Sequence, residues 1–534
     1  MDKNINTLQE VKVNLIDEIE KRNADKIIEN TNAKLLIRLI NNAESVTEAI
    51  AIAELGTTYK RTGFHFDKRL EKIGSDIKYL SKNSKLSFIN NKDALTHKLI
   101  IGDNYDVLLN LLISHKEKID VIYIDPPYGK DDMGKFAATN YKNDITRDNL
   151  LSMLYPRLLL AKQLLQDDGV IFCNIDDKNQ SYLKGLLDEI FGENNFIANI
   201  PRLTSAQRPA QEKYISTQHD YILVYTKNKN GNFNKTVERK DLQQCQVDNI
   251  GRYFIGDTSP ILASSTQGYS EGGDYDFEYN GVIYSPITKT GVRRRWLWTI
   301  DRMTKAAELG ILVPTKNGLR VQNYIDMEYE VGTNEMKPKT ENLILTTYDF
   351  VDAKYSNSNG TDDLNKLGLQ FSFSKPYLLI KELLKLIPKK NAIVLDFFAG
   401  SGTTGQAVMD LNKDDDGTRQ FIVCTNNEKT DNSPNGIAYD TTSKRLKRIM
   451  SGICYDGTSN FDWLKSNSPY LDNLDVYEIA YVNNSEQSLG KTPFDVIDET
   501  LYGLPKFDSL EMKIKWVCEN FDNTQKYLDD VKNN

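Results

Sequence analysis

Over residues 1–95, apolar positions recur at helical spacing, as at Leu35, Leu36, Ile37, Leu39 and Ile40, with charges in the intervals and no proline before Pro126. Residues three and four apart share one face of a helix, so this pattern predicts a helical extension that packs on the core or on a partner. From about residue 97 the texture changes. Short apolar runs ending in turns alternate with longer amphipathic stretches: HKLIIGDN, VLLNLLISHKEK, IDVIYIDPPYGK, TRDNLLSMLYPRLLLAKQLLQDDG, GVIFCNIDD, QSYLKGLLDEIF and HDYILVYTKN. Uninterrupted apolar strands between helices predict a parallel sheet covered on both faces, here over 96–230. Pro156 lies inside the long apolar helix and should mark its start or a kink. Between 231 and 365 the alternation fails. The chain turns rich in Gly, Asn, Thr, Tyr and Asp, with short β-like pieces such as EYNGVIYSP and RRRWLWTI, and reads as an inserted domain. The strand–helix pattern resumes over 366–455 with KPYLLIKELLKLI, NAIVLDFF, GTTGQAVMDLN, RQFIVCTNNE and TTSKRLKRIMSGI. Residues 456–534 are mixed, with a helical EMKIKWVCENF near the end, and are expected to serve partner or dimer contacts. The fold class expected is therefore α/β, interrupted by an insertion.

Composition narrows the function classes. The 534 residues are 40% hydrophobic and 27% charged, which is a foldable composition of about three or four domains. No apolar stretch approaches the ~18 residues of a membrane span, and the first residues carry no apolar signal core, so neither a membrane protein nor an exported one is expected and the cytoplasm is the expected compartment. Cys173, Cys245, Cys424, Cys454 and Cys518 are far apart in sequence, so no CxxC zinc knot is present, and Cys173 and Cys424 in apolar runs read as buried thiols of a reducing compartment. With four histidines in the chain, no metal site is expected. The net charge of -8 argues against a protein coated in positive charge but leaves room for a local basic groove.

Two turns carry the chemistry. LDFFAGSGTTGQAV places Asp396, Phe398, Gly400 and Gly402 between a strand and a helix. Glycines permit a tight left-handed turn and close backbone approach to a ligand, and the helix that follows offers free N–H groups at its start, which makes this a loop for a nucleotide-type ligand. Gly402 is followed by two threonines and no lysine, so an ATP phosphate loop is disfavoured. Glu428, at the end of the next strand, is placed to accept bonds from two ribose hydroxyls. The second turn, Asp125-Pro126-Pro127-Tyr128, ends an apolar strand, where open sheets build their sites. Its prolines fix the backbone and leave carbonyls free to accept, Asp125 adds an acceptor and Tyr128 a flat face. Such a turn suits a planar ligand with an exocyclic amine, and nothing in it could act as a nucleophile.

These residues resemble the amino-group DNA methyltransferases that use S-adenosylmethionine, and more narrowly the modification subunits of type III restriction-modification systems. DPPY at 125–128 precedes FAGSG at 398–402, with a variable region between them, an order that marks the beta subclass. RLLLAKQLLQDDGVIFCNIDD, LLDEIFGENNFI and HDYILVYTKN are similar to the same subunits. The resemblance implies a circularly permuted Rossmann-like methyltransferase fold with an inserted target-recognition domain (231–365) and a helical extension. It places Asp103 near the cofactor adenine, Glu428 on the ribose, Phe398, Gly400 and Gly402 in the cofactor loop with Asp396 behind it, and Phe373, Lys375 and Pro376 over the methionine part. Asp125, Pro126, Pro127 and Tyr128 would hold the target base, and Asp at the first place of DPPY is associated with N6-adenine rather than N4-cytosine methylation. Gly129 follows DPPY where the family commonly has Asn, and Pro201-Arg202-Leu203 stands where an aromatic is often found.

The implied substrate is double-stranded DNA, and the implied assembly is a homodimer with a separate helicase-nuclease restriction subunit. No ATPase or nuclease signature is present in this chain itself. Arg293, Arg294 and Arg295, with Trp296 interleaved, lie in a segment holding one acid, Asp301, and read either as a structural β-ribbon with a solvated basic face or as phosphate and base contacts. Lys142 and Arg147 are weaker candidates for backbone contacts. Rival readings are N4-cytosine or RNA methylation on the same architecture, a stand-alone or type II enzyme, and a non-catalytic DNA-binding assembly subunit.

Overall fold

The computed structural model describes residues 2–524 apart from 25–27, 29, 57–75, 129–146, 208–214, 230, 232, 235, 239–244, 265–266, 269, 289, 317, 331, 340–341, 372–373 and 483–490. Its residues group into two compact units, the smaller comprising 1–70, 129–131 and 143–155. In that unit α1 (Asp2–Ala24), α2 (Asn30–Asn42) and α3 (Val46–Gly56) enclose a core of their own. Ala33, Leu36 and Ile40, three and four positions apart on α2, bury one face among Ile19, Ala43, Ala49 and Ala53. Leu35 and Leu39, read with them as apolar positions of the helix, stay exposed on the outer side of α2. Among the described residues no helix is long and apolar enough to cross a membrane.

The larger unit is built on nine strands: β1 (Ile77–Lys82), β2 (Thr96–Ile101), β3 (Ile119–Ile124), β4 (Leu165–Asp176), β5 (Phe196–Leu203), β6 (His219–Thr226), β7 (Ile393–Asp396), β8 (Gln420–Thr425) and β9 (Asn473–Val482). They lie in the order β1-β9-β2-β8-β7-β3-β4-β6-β5. The run β9-β2-β8-β7-β3-β4 is parallel throughout, while β1 on β9, β6 on β4 and β5 on β6 pair antiparallel. Every residue of β3 is buried, so both faces of the sheet are covered there, as its uninterrupted apolar run requires. The helices that connect these strands include α4 (Asn104–His115), α5 (Arg147–Leu164, with Pro156 inside it) and α6 (Gln180–Phe191). After the insertion come α8 (Asn357–Lys366), α9 (Tyr377–Lys385), α10 (Thr403–Asp415) and α11 (Ser443–Ser451). The late strand β7 slots between β8 and β3, the latter more than 250 residues earlier in the chain, and this is the circular permutation of a Rossmann-like sheet.

Three expectations about the sheet change. Residues 77–82 are a sheet strand rather than part of a helical extension, and their partner is β9, in register Ile77 with Val482. The strand at 219–226 runs antiparallel to β4, and the NFI segment forms a further antiparallel strand beyond it. Strand β4 starts at Leu165, ahead of the GVIFC run, because a register shift between Ile119 and Val121 accommodates the polar residues 166–168.

The inserted region has a separate core. A four-stranded sheet (residues 246–247, 252–260, 312–315 and 318–324) and α7 (Ile300–Leu309) pack around Ile261, Phe277, Trp296, Met303, Ala306 and Leu319. Helix α7 ends at Gly310, whose φ of 75° closes it in a left-handed cap.

Candidate active site

Four adjacent parallel strands, β2, β8, β7 and β3, deliver the sequence-predicted residues to one rim of the sheet. Because the strands run in the same direction with Ile101 beside Thr425, Asp396 beside Val423 and Leu395 beside Ile122, the segments that follow them emerge side by side. In spatial order these are Asp103 after β2, Glu428 after β8, the glycine turn after β7 and Asp125–Tyr128 after β3.

The glycine turn is held from several sides. Gly400 and Gly402 have φ of 47° and 80°, the left-handed region where a glycine costs least. Asp396 accepts the Phe398 N–H at 2.9 Å and the Thr404 hydroxyl, tying the end of the strand to the start of α10. The Thr442 hydroxyl donates to the Gly400 carbonyl at 2.6 Å. A Cβ on Gly400 would stand 3.3 Å from the ring of Phe371. That aromatic, two positions from the expected Phe373, is therefore the one found against the loop; Phe373 itself lies outside the described residues.

Asp103 caps α4, accepting the Tyr105 N–H at 2.9 Å, and its carboxylate also takes a 3.0 Å bond from Arg157. Asn104 donates to the Phe397 carbonyl at 2.9 Å and so fastens the first turn of the rim to the third. Arg157, 1% exposed, binds both Asp103 and Asn104. Its sequence signal was slight, an arginine amid an apolar helix. Glu428 lies three residues past the end of β8, half-buried, with its own carbonyl accepting from Ile437 N–H.

Burial pushes the Asp396 carboxyl up to about 7, against the opposing pull of its two hydrogen bonds; the charge of Asp125 adds to the rise, as expected of carboxylates on one rim. A carboxyl whose native pKa exceeds its unfolded value of about 3.9 binds more protons when folded, so its contribution to stability falls as pH rises through that interval. Unfolding free energy should therefore decline between about pH 4 and pH 7, and Asp396→Asn should remove up to ~1.4 kcal/mol per pH unit of that slope. Urea titrations of both proteins across this range check it; equal slopes would refute the assignment.

At the neighbouring turn, Tyr128 donates its hydroxyl to Asp125 at 2.8 Å. Asn179 donates to the Tyr128 carbonyl at 2.8 Å and holds the turn from below, while Asn174 donates to the Tyr128 hydroxyl. Lys375 was expected over the methionine part of the cofactor. It instead reaches both oxygens of Asp125 at 2.8 Å and the Tyr128 hydroxyl at 2.9 Å, and is 7% exposed. Pro376 follows as the N-cap of α9. The preceding Ser374 bonds Ser401 at 3.0 Å, so residues 374–375 bridge the glycine turn and the Asp125 turn. Behind them lie Asp220 and Arg202, buried and paired; Arg202 is part of the Pro201-Arg202-Leu203 departure, and neither has a role that its place in the sequence announces.

The basic segment of the insertion differs from expectation. Trp296 is a core side chain, 1% exposed, with its indole N–H on the Tyr275 carbonyl at 2.9 Å, so it cannot meet DNA. Arg293 is paired with Asp274 and Asp276, acids from outside the window in which only Asp301 was counted. Arg294 and Arg295 each donate to a backbone carbonyl, of Ala263 and Gly268. Lys142 and the Arg147 side chain lie outside the described residues.

The site suits an adenosine-type cofactor. A left-handed glycine turn leads into a helix start, and carboxylates follow β8 and β2 on one side of it to receive hydroxyl and amine donors. The DNA methylase family model matches residues 119–441, more than half of the chain, and the chain belongs to that family. Fold and site together thus place it among the DNA methylases. Among relatives, the Mod subunit of the type III restriction-modification enzyme EcoPI from Escherichia phage P1 is 30% identical over 66% of this chain and 62% of its own length. The StyLTI Mod subunit of Salmonella typhimurium is 28% identical over 84% of this chain and 71% of its own. The type II methyltransferase M.KpnI of Klebsiella pneumoniae is 29% identical over 72% and 93%. The chain thus spans less than two thirds of the first of these. Residues 3–121 also match a model of an uncharacterised conserved protein family.

Proposed function

We propose that the protein methylates the N6 amine of an adenine flipped out of a specific duplex DNA sequence, as the modification and recognition subunit of a restriction-modification system. The observation that carries this is the adjacency of β7 and β3, which sets the glycine turn beside the Asp125 turn on one rim. The likeness to the EcoPI and StyLTI Mod subunits supports the restriction-modification setting.

When bound, S-adenosylmethionine supplies a methyl carbon already activated by its sulfonium, so positioning is the main task left to the protein. An amine conjugated to a purine is a poor nucleophile. Asp125 and the Pro126 carbonyl accept its N–H bonds, draw the nitrogen toward tetrahedral geometry and stabilise the positive charge that grows on it. The proton leaves afterward to water or to Asp125. Asp103 and Glu428 would hold the adenosine, and the backbone of Phe398–Gly402 the part nearest the reacting carbon. Flipping costs a few kcal/mol, part of which stacking on Tyr128 returns. Tyr128→Ala should therefore weaken single-turnover methylation more than it weakens DNA binding; equal losses in the two assays would remove the stacking role.

Arg294 and Arg295 remain candidates for DNA contacts, together with Lys142 and Arg147, and a dimer with a helicase-nuclease partner in the cytoplasm is the proposed working form. A second reading, a stand-alone methyltransferase, is favoured by M.KpnI, 93% of whose length matches this chain. Single-molecule sequencing of DNA from cells producing the protein or its Asp125→Ala variant tests the proposal. Methylated adenines in one sequence motif, lost in the variant, are expected; methylated cytosines or an unchanged pattern would reject it.

A further inference from the structure

Four charged side chains form one cluster behind the Asp125 turn: Asp125, Lys375, Asp220 and Arg202. The ammonium of Lys375 spends its N–H bonds on both Asp125 oxygens and the Tyr128 hydroxyl. Those carboxylate oxygens are the acceptors that an incoming exocyclic amine needs, so lysine and target base compete for one seat. At 7% exposure the lysine has little water to retreat into, and leaving an ammonium buried without a counter-charge is costly.

A second carboxylate is within reach. The Asp220 oxygen Oδ2 stands 4.0 Å from the Lys375 Nζ, just beyond a hydrogen bond. Asp220 is 3% exposed and fixed in place: Arg202 donates to both its oxygens, through Nε at 2.7 Å, and Asn174 donates to Oδ2 at 3.0 Å. Burial alone would raise the Asp220 carboxyl, yet the Arg202 guanidinium holds it below the ordinary value, so it stays ionised. Arg202, itself fully buried, is anchored at its other end by the Tyr355 carbonyl at 2.8 Å and Asn357 at 2.9 Å. The Asn174 side-chain oxygen Oδ1 is buried without a hydrogen-bond partner and offers a further acceptor beside Asp220.

We propose that Lys375 is a placeholder for the target amine, and that it exchanges from Asp125 to Asp220 when the flipped base arrives. The exchange keeps the charge count constant. Two cations and two carboxylates remain, and the neutral amine replaces an ammonium on Asp125 while the ammonium moves to Asp220. Asp220 and Arg202 act as positioning residues, since neither needs to touch the base. Both sit on antiparallel strands beyond β4, β6 and β5, which gives that side of the sheet a part in catalysis. The inference rests on the reading that Asp125 receives the amine.

A crystal structure of Asp125→Ala tests the exchange without any DNA. Vacating the first seat should bring Lys375 Nζ into hydrogen-bond range of Asp220; a lysine that stays in place or turns to solvent would overturn the proposal. In methylation assays on motif-bearing duplex, Asp220→Asn should lower the single-turnover rate by roughly 5- to 150-fold with cofactor affinity unchanged. Lys375→Met placed in that background should cost no further rate and restore part of it, whereas independent, multiplying losses would mean a merely structural Asp220. Absence of adenine methylation by the wild-type protein would sink the functional reading instead, and the crystal structure would still decide the exchange.

Discussion

Replacing Asp125 by alanine should lower the single-turnover rate of methyl transfer by about 10²–10³-fold, the usual cost of removing one group aimed at charge developing in the transition state. Cofactor affinity should change little. Asp125 is on the turn after β3, whereas the cofactor residues follow β2, β8 and β7. The Tyr128 hydroxyl keeps its bond from Asn174 when Asp125 is lost, and Asn179 still donates to the Tyr128 carbonyl, so the turn retains its footing. Stopped-flow mixing of preformed DNA complex with labelled cofactor, alongside calorimetric cofactor titration, separates the two quantities. A variant that transfers at the wild-type rate, or one that loses cofactor binding as fully as it loses rate, would show that Asp125 does not act on the amine.

The converse pattern is expected of Gly400→Val. A β-branched residue at a φ of 47° is held in a region costing about 1–3 kcal/mol, and its first side-chain carbon would stand 3.3 Å from the Phe371 ring. Either the loop shifts or the aromatic moves, and both alter the surface the cofactor meets. Cofactor affinity should weaken by about 10- to 100-fold, while rate at saturating cofactor falls far less. Calorimetry reads the first and single turnover the second. Unaltered affinity would mean that the cofactor does not approach the backbone at Gly400.

The parts of the fold visible in the sequence are those governed by local pattern. The run IDVIYI is apolar at nearly every position because β3 is buried on both faces, and a strand followed by glycines and a helix is a short-range arrangement. What was missed depends on distant partners. IKYLSK reads as a continuation of a helical, charged region, and only its pairing with residues about 400 positions later makes it a strand. The apolar HDYILVYT announces a strand but says nothing of its direction, which is antiparallel. Arg293 lacked acids in its own segment and found Asp274 and Asp276 across the inserted domain, while Trp296, placed by sequence among basic residues, is the largest fully buried side chain among the described residues. The Asp125 turn shows the same limit. DPPY is legible as a turn for an amine, yet no spacing rule pairs Asp125 with a lysine 250 residues away or sets Asp220 behind it. Those contacts arise because the sheet gathers loops from both sides of the insertion onto one rim.

The most direct test of this account is mass spectrometry of nucleosides digested from duplex DNA incubated with the purified protein and isotope-labelled S-adenosylmethionine. A glycine turn and an Asp125 turn cooperating on one adenine predict labelled N6-methyladenine as the product. Label in N4-methylcytosine, or no label in any duplex from a protein that binds the cofactor, would contradict it.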